Sequence, residues 1–162
     1  MAGYATQTKT SVAHSKAEIE DTLSRFGIRE IGTFSEESAA VILFKHAGRP
    51  YSIRISLPDK DAEEFRFTPA RRFERTAQET CAAWEQACRV KWRELALLIK
   101  AKLVAISNET ASFDDEFLAY AMLPNRRTVG DWAADQLSEM QSSGEMPELL
   151  PRGQTALAAT NK

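Results

Sequence analysis

Two groups of charged side chains in this 162-residue chain lie close enough together in sequence to do chemistry. The first is basic: Arg66, Arg71, Arg72 and Arg75 are interleaved with Phe67 and Phe73, directly after the acidic residues Asp59, Asp61, Glu63 and Glu64. Guanidinium groups contact phosphates while aromatic rings stack on bases, so this pattern suits nucleic acid. The same arginines equally suit ion pairs with the carboxylates just upstream. With Arg54, Arg89, Arg93 and Lys100 they make eight candidate phosphate-binding cations. The second group is acidic: Asp114, Asp115 and Glu116 follow Ser112. Adjacent carboxylates serve acid-base or metal chemistry, or a basic partner surface, but carboxylates after a serine also mark the first turn of a helix, where they favour the positive end of its dipole. No base, nucleophile or histidine lies near them in sequence, so no catalytic set is assigned.

Other patterns point away from metals and cofactors. Cys81 and Cys88 are seven residues apart, and on one helix their Cα atoms would be about 10 Å apart, too far for a disulfide. They read as reduced core thiols. His14 and His46 stand at no zinc-ligand spacing from a cysteine. The Asp59-x-Asp61 start lacks the glycine and the terminal glutamate of a calcium loop. No metal and no cofactor are expected.

The net charge of −2 argues against a strongly nucleic-acid-binding chain, but its distribution does not. Lys45 to Lys102 holds 13 Lys/Arg against 8 Asp/Glu, a balance of +5, which leaves 8 against 15, or −7, elsewhere. A basic middle between acidic ends reads either as an anion-binding face or as ends that fold across the middle and neutralise it. No apolar run approaches the roughly 18 to 20 residues that span a bilayer, and the start MAGYATQTKTSVAHS has no signal-peptide pattern. The expectation is a cytoplasmic protein with no membrane partner.

The element that must position these groups runs from Thr76 to about Ser107. Thr76 and Glu79 form a capping box, and Cys81, Trp84, Cys88, Trp92, Leu95, Ile99, Leu103 and Ile106 then recur in steps of three or four. This spacing predicts a helix on the order of 45 Å long, with both tryptophans in the core and Arg89, Arg93 and Lys100 on a second face. Upstream, residues 1–14 read as a disordered arm, and Ser15 with Glu18 caps a first helix carrying Ile19, Leu23 and Phe26. Ile28 to Phe34, the run Val41 to Phe44, and Tyr51 to Leu57 read as three strands, with Ile28, Ile31 and Phe34 buried in the first and a wet Ser52, Arg54, Ser56 face in the third. Downstream, Ser112 opens a helix that buries Phe113, Phe117, Leu118 and Tyr120 or Ala121, and Thr128 with Asp131 opens another with Trp132 and Met140 facing in. MPELLP (146–151) is expected to dock on the core, and 152–162 reads as a disordered tail. The fold class is α+β: one domain, 15–151, with a three-stranded antiparallel meander packed on the long helix and two C-terminal helices completing the core.

The stretches WEQACRVKWRELALLIKAKL (Trp84 to Leu103), FDDEFLA (Phe113 to Ala119) and LPNRRTVGDW (Leu123 to Trp132), with MPELLP, resemble a family of small proteins encoded by bacteriophages, prophages and mobile elements. The resemblance covers Ser15 to Pro151. It implies a phage or prophage setting and brings no activity or site residues. The order helix, three strands, long helix is also similar in topology to single-strand annealing proteins, with no shared motif. Two functions follow as expectations. One is a non-enzymatic accessory protein that binds nucleic acid through the eight cations. The other is a protein-interaction module that engages a host or defence protein, with Asp114, Asp115 and Glu116 in its surface. Either reading is compatible with a homo-oligomer.

Overall fold

The computed structural model describes residues 8–36, 38–70 and 72–144. Arg71 and the MPELLP segment lie outside the described residues. Helix α1 (Val12–Arg25) leads into strands β1 (Ile31–Ser35), β2 (Ala39–His46) and β3 (Arg49–Ser56), then a short α2 (Glu63–Arg66) and the long α3 (Ala77–Ser107). A short α4 (Phe113–Phe117), a 3-10 turn at Leu118–Tyr120 and α5 (Val129–Ser143) follow. The strands form an antiparallel meander in the order β1-β2-β3, and the fold is α+β as the spacing predicts.

Local chemistry explains the elements. The β2–β3 hairpin turns through Ala47 and Gly48, both at positive φ, which matches a two-residue turn to the twist of the strands. Thr76–Glu79 caps α3 reciprocally, and Ser112–Asp115 and Thr128–Asp131 do the same for α4 and α5. Gly144, in the left-handed region, ends α5. The register sets Ile42 beside Ile53 and Phe44 beside Tyr51, so these side chains share one face of the sheet. That face meets Ile19 and Leu23 of α1 and Trp92, Leu95, Ile99 and Leu103 of α3 in one core, which Phe117 closes at the edge.

Several side chains sit elsewhere than their spacing suggests. Helix α1 begins at Val12 and is capped by Ser11, whose oxygen accepts from the His14 amide. Ser15 is an interior residue of the helix on the same stripe as Ile19 and Leu23, and its buried hydroxyl has no partner among the described residues. Phe34 is 53% exposed while Ile28 is buried. Phe34 and Ile31 are three residues apart in a strand, so they cannot share a face. Leu118 is exposed in the 3-10 turn. Helix α5 has no buried residue and Trp132 faces outward; its main contact is with that turn, not with the sheet. No helix among the described residues is long and apolar enough to cross a membrane.

Candidate interaction surfaces

The basic residues are placed by acidic ones. Arg54 pairs with Glu36, Arg66 with Glu74 and Arg72 with Glu63 at 2.6 Å, while Arg75 donates to the carbonyls of Glu64 and Phe65. The linker between β3 and α3 is thus a small fold of its own, in which a bridge between Phe67 and Glu74 brings its acidic and basic halves together. Arg89 pairs with Glu85 and Gln86 along α3. Arg93 and Lys100 converge on Glu18 of α1, and the Arg93–Glu18 pair is the more enclosed, with side chains only 24% and 21% exposed. Arg93 therefore clamps α1 to α3. The seven described candidates are spread over β3, the linker and two parts of α3, so the structure does not bring them together as one cationic site.

The acidic trio is also absorbed locally. Asp115 accepts from the Ser112 hydroxyl and, to a lesser extent, its amide, bonds that hold its carboxyl below the usual carboxylate range. Asp114 pairs with Arg49 at 3.0 Å, and Glu116 with Lys102 at 2.8 Å. Asp114 and His46 do line a common cavity of about 280 Å³ with Arg49, Tyr51 and Phe113. His46 stacks on Phe113 at 4.0 Å between centroids, and Asp114 is taken by Arg49, so no acid-base pair forms between them. Among the described residues no cluster of three His, Cys, Asp or Glu side chains suits a metal ion. Burial pushes the Cys88 thiol up, with Glu85 adding to the effect, so Cys88 stays a protonated core thiol.

What the pairing leaves over is apolar. On the outer face of the sheet, β2 presents Val41 and Leu43, flanked by Phe34 and Gly32 of β1 and by Pro50 of β3. The Phe34 ring lies across Gly32, where an added Cβ would come within 2.8 Å of it. Gly32, Phe34, Leu43, Pro50 and Met122 line a shallow depression of about 410 Å³. The rim is charged but balanced, by Lys45 with Glu30 and Arg54 with Glu36. The signal was present in the sequence: AAVILF (39–44) is apolar without alternation, which marks a strand covered on both faces.

No family model matches this chain, and no curated protein or solved structure matches it either.

Proposed function

We propose that this chain is a protein-interaction module, in a phage or prophage setting, that docks a partner on the outer face of its sheet. One observation carries the reading: β2 is apolar on both faces, yet on the outer one Val41 and Leu43 lie outside the core and are only half-buried. An antiparallel sheet with one wet face normally alternates, and a strand that does not alternate has a second surface to bury. The complementary partner segment presents apolar side chains to Phe34 and Leu43 and mixed charge to the rim. β1, at the open edge of the sheet, also offers backbone groups to an added strand.

The experiment is co-purification from an infected or lysogenic host, with wild type beside Phe34→Ser/Leu43→Ser. A protein retained by wild type and lost by the folded double variant supports the reading; a protein retained equally by both rejects the sheet face. The nucleic-acid reading keeps one observation in its favour. Phe73 is exposed beside Arg66 and Arg72, whose guanidiniums flank the Phe67 ring at 5.8 and 5.9 Å. Exposed ion pairs exchange readily for phosphate, so oligonucleotide binding that falls steeply with salt and is lost in Arg66→Ala/Arg72→Ala would favour that reading instead.

A further inference from the structure

Helix α3 is apolar on two sides. Its core stripe, Trp92, Leu95, Ile99 and Leu103, faces the sheet and α1. A second stripe runs through Ala83, Ala87, Val90, Glu94, Leu97, Ala101 and Val104 in alternating steps of four and three, the seven-residue repeat of a helix that pairs with another helix. At about 100° per residue this stripe lies on the far side of α3 from Trp92 and Leu103. None of its residues is buried; Val104 is 49% exposed. The contacts of α3 take up its other sides, through Glu18 of α1 at Arg93 and Lys100 and Glu116 of α4 at Lys102, while Thr8 reaches the edge of the outer stripe at Gln86. A second apolar stripe at this spacing suits packing against another helix.

We infer that the outer stripe of α3 is a homodimer interface, in which α3 pairs with α3 of a second copy in antiparallel orientation about a two-fold axis. The occupant follows from self-complementarity. Glu94 is the one charge on the stripe, Lys91 flanks it at 3.2 Å, and the two stand about midway between Ala83 and Val104. An antiparallel two-fold axis there sets each Lys91 beside the partner's Glu94 and each Glu94 beside the partner's Lys91, whereas parallel pairing would oppose Glu94 to Glu94. Antiparallel pairing also lays the small residues Ala83 and Ala87 of one helix against the larger end of the other, around Leu97 and Val104, so that the helices interdigitate evenly. The interface is isologous, as a two-fold axis requires. It lies on α3, apart from the sheet face proposed for the heterologous partner.

The test is light scattering or sedimentation of the whole chain across a micromolar range. Wild type is expected at twice the 18.1 kDa chain mass. Leu97→Glu and Val104→Glu, checked for native circular dichroism and melting, should each raise the dissociation constant by about tenfold or more, as loss of a buried apolar contact does. Val104 borders α1 at Phe26 but is 49% exposed, so its substitution reads the interface even where Leu97→Glu unfolds. Lys91→Glu and Glu94→Lys should each weaken the dimer, and the double exchange should restore it. Phe34→Ser should leave it intact, which separates this surface from the sheet face. A monomeric wild type, a dimer indifferent to the Leu97 and Val104 changes, or a charge exchange that fails to restore association would each overturn the inference.

Discussion

Trp84 and Trp92 stand two turns apart on one helix and on one stripe, yet the two halves of α3 live in different surroundings. Trp92 is 1% exposed, among Leu95, Ile99 and Leu103 and against the sheet and α1. Trp84 is half-buried; its indole N–H donates to the Pro58 carbonyl at 2.9 Å, and Lys60 sits over its ring. The C-terminal half is held by close packing over many contacts. The N-terminal half lies against α2 and the polar linker, secured by a cap, one indole hydrogen bond and a glutamine that donates to the Thr8 carbonyl. Periodicity places residues on a face, but only the length of the sheet decides how far along the helix that face is covered.

The difference is largest at the tryptophans themselves. Trp92→Ala leaves a void that the core cannot fill and should cost about 3 to 5 kcal/mol in chemical denaturation. Trp84→Ala removes a partly wet ring and one hydrogen bond, and should cost roughly 1 to 2 kcal/mol. Equal costs would show that the linker packs as firmly as the core. Next comes the clamp: Arg93→Ala breaks an enclosed pair and should cost roughly 1 to 2 kcal/mol, between the values for exposed and buried ion pairs, and a double-mutant cycle with Glu18→Ala isolates the coupling. Arg89→Ala, on the half outside the core, should fall below about 0.5 kcal/mol.

Smaller effects sharpen the same contrast. Amides of 81–88 should exchange with deuterium faster than those of 92–103 under native conditions, because local opening of the N-terminal half exposes less apolar surface. Its cap is also pH-sensitive. Hydrogen bonds from the Thr76 backbone and side chain, with Arg75 adding to them, hold the Glu79 carboxyl below its unfolded value. The stability it lends is therefore complete above the ordinary carboxylate range and is lost as the pH falls through the folded value. On acidification, protection factors near Ala77–Thr80, corrected for the intrinsic exchange rate, should fall before those near Ile99, and Glu79→Gln should flatten that response. At the smallest scale, half-exposed Cys81 should react with a thiol reagent well before Cys88, whose burial keeps it protonated.

Much of the fold was legible because its signals are local. The helix starts at Thr76, Ser112 and Thr128, the boundaries of α3 and the alternation of Tyr51, Ile53 and Ile55 each depend on residues within a few positions of one another, though the equally local Ser15–Glu18 pattern misleads, because Ser11 caps α1. Phe34 and Trp132 were harder. Both are large and apolar, but strand parity turns Phe34 away from the core, and α5 docks on the 3-10 turn instead of the sheet.

The candidate sites divide along the same line. Sequence alone determined which side chains carry charge, that Asp115 belongs to a helix start, and that AAVILF has two apolar faces. Only the tertiary structure decided where the charges go: Glu18 of α1 meets Arg93 and Lys100, 75 and 82 residues away in the chain, and Glu63 meets Arg72 once the linker folds back on itself. An ion pair spends its field on whatever carboxylate the fold brings within a few ångströms, and sequence spacing does not set that distance beyond a helical turn or a hairpin. The uncovered face of β2 and the outer stripe of α3 follow the same rule, for apolarity is a property of residues and exposure is a property of what packs on them.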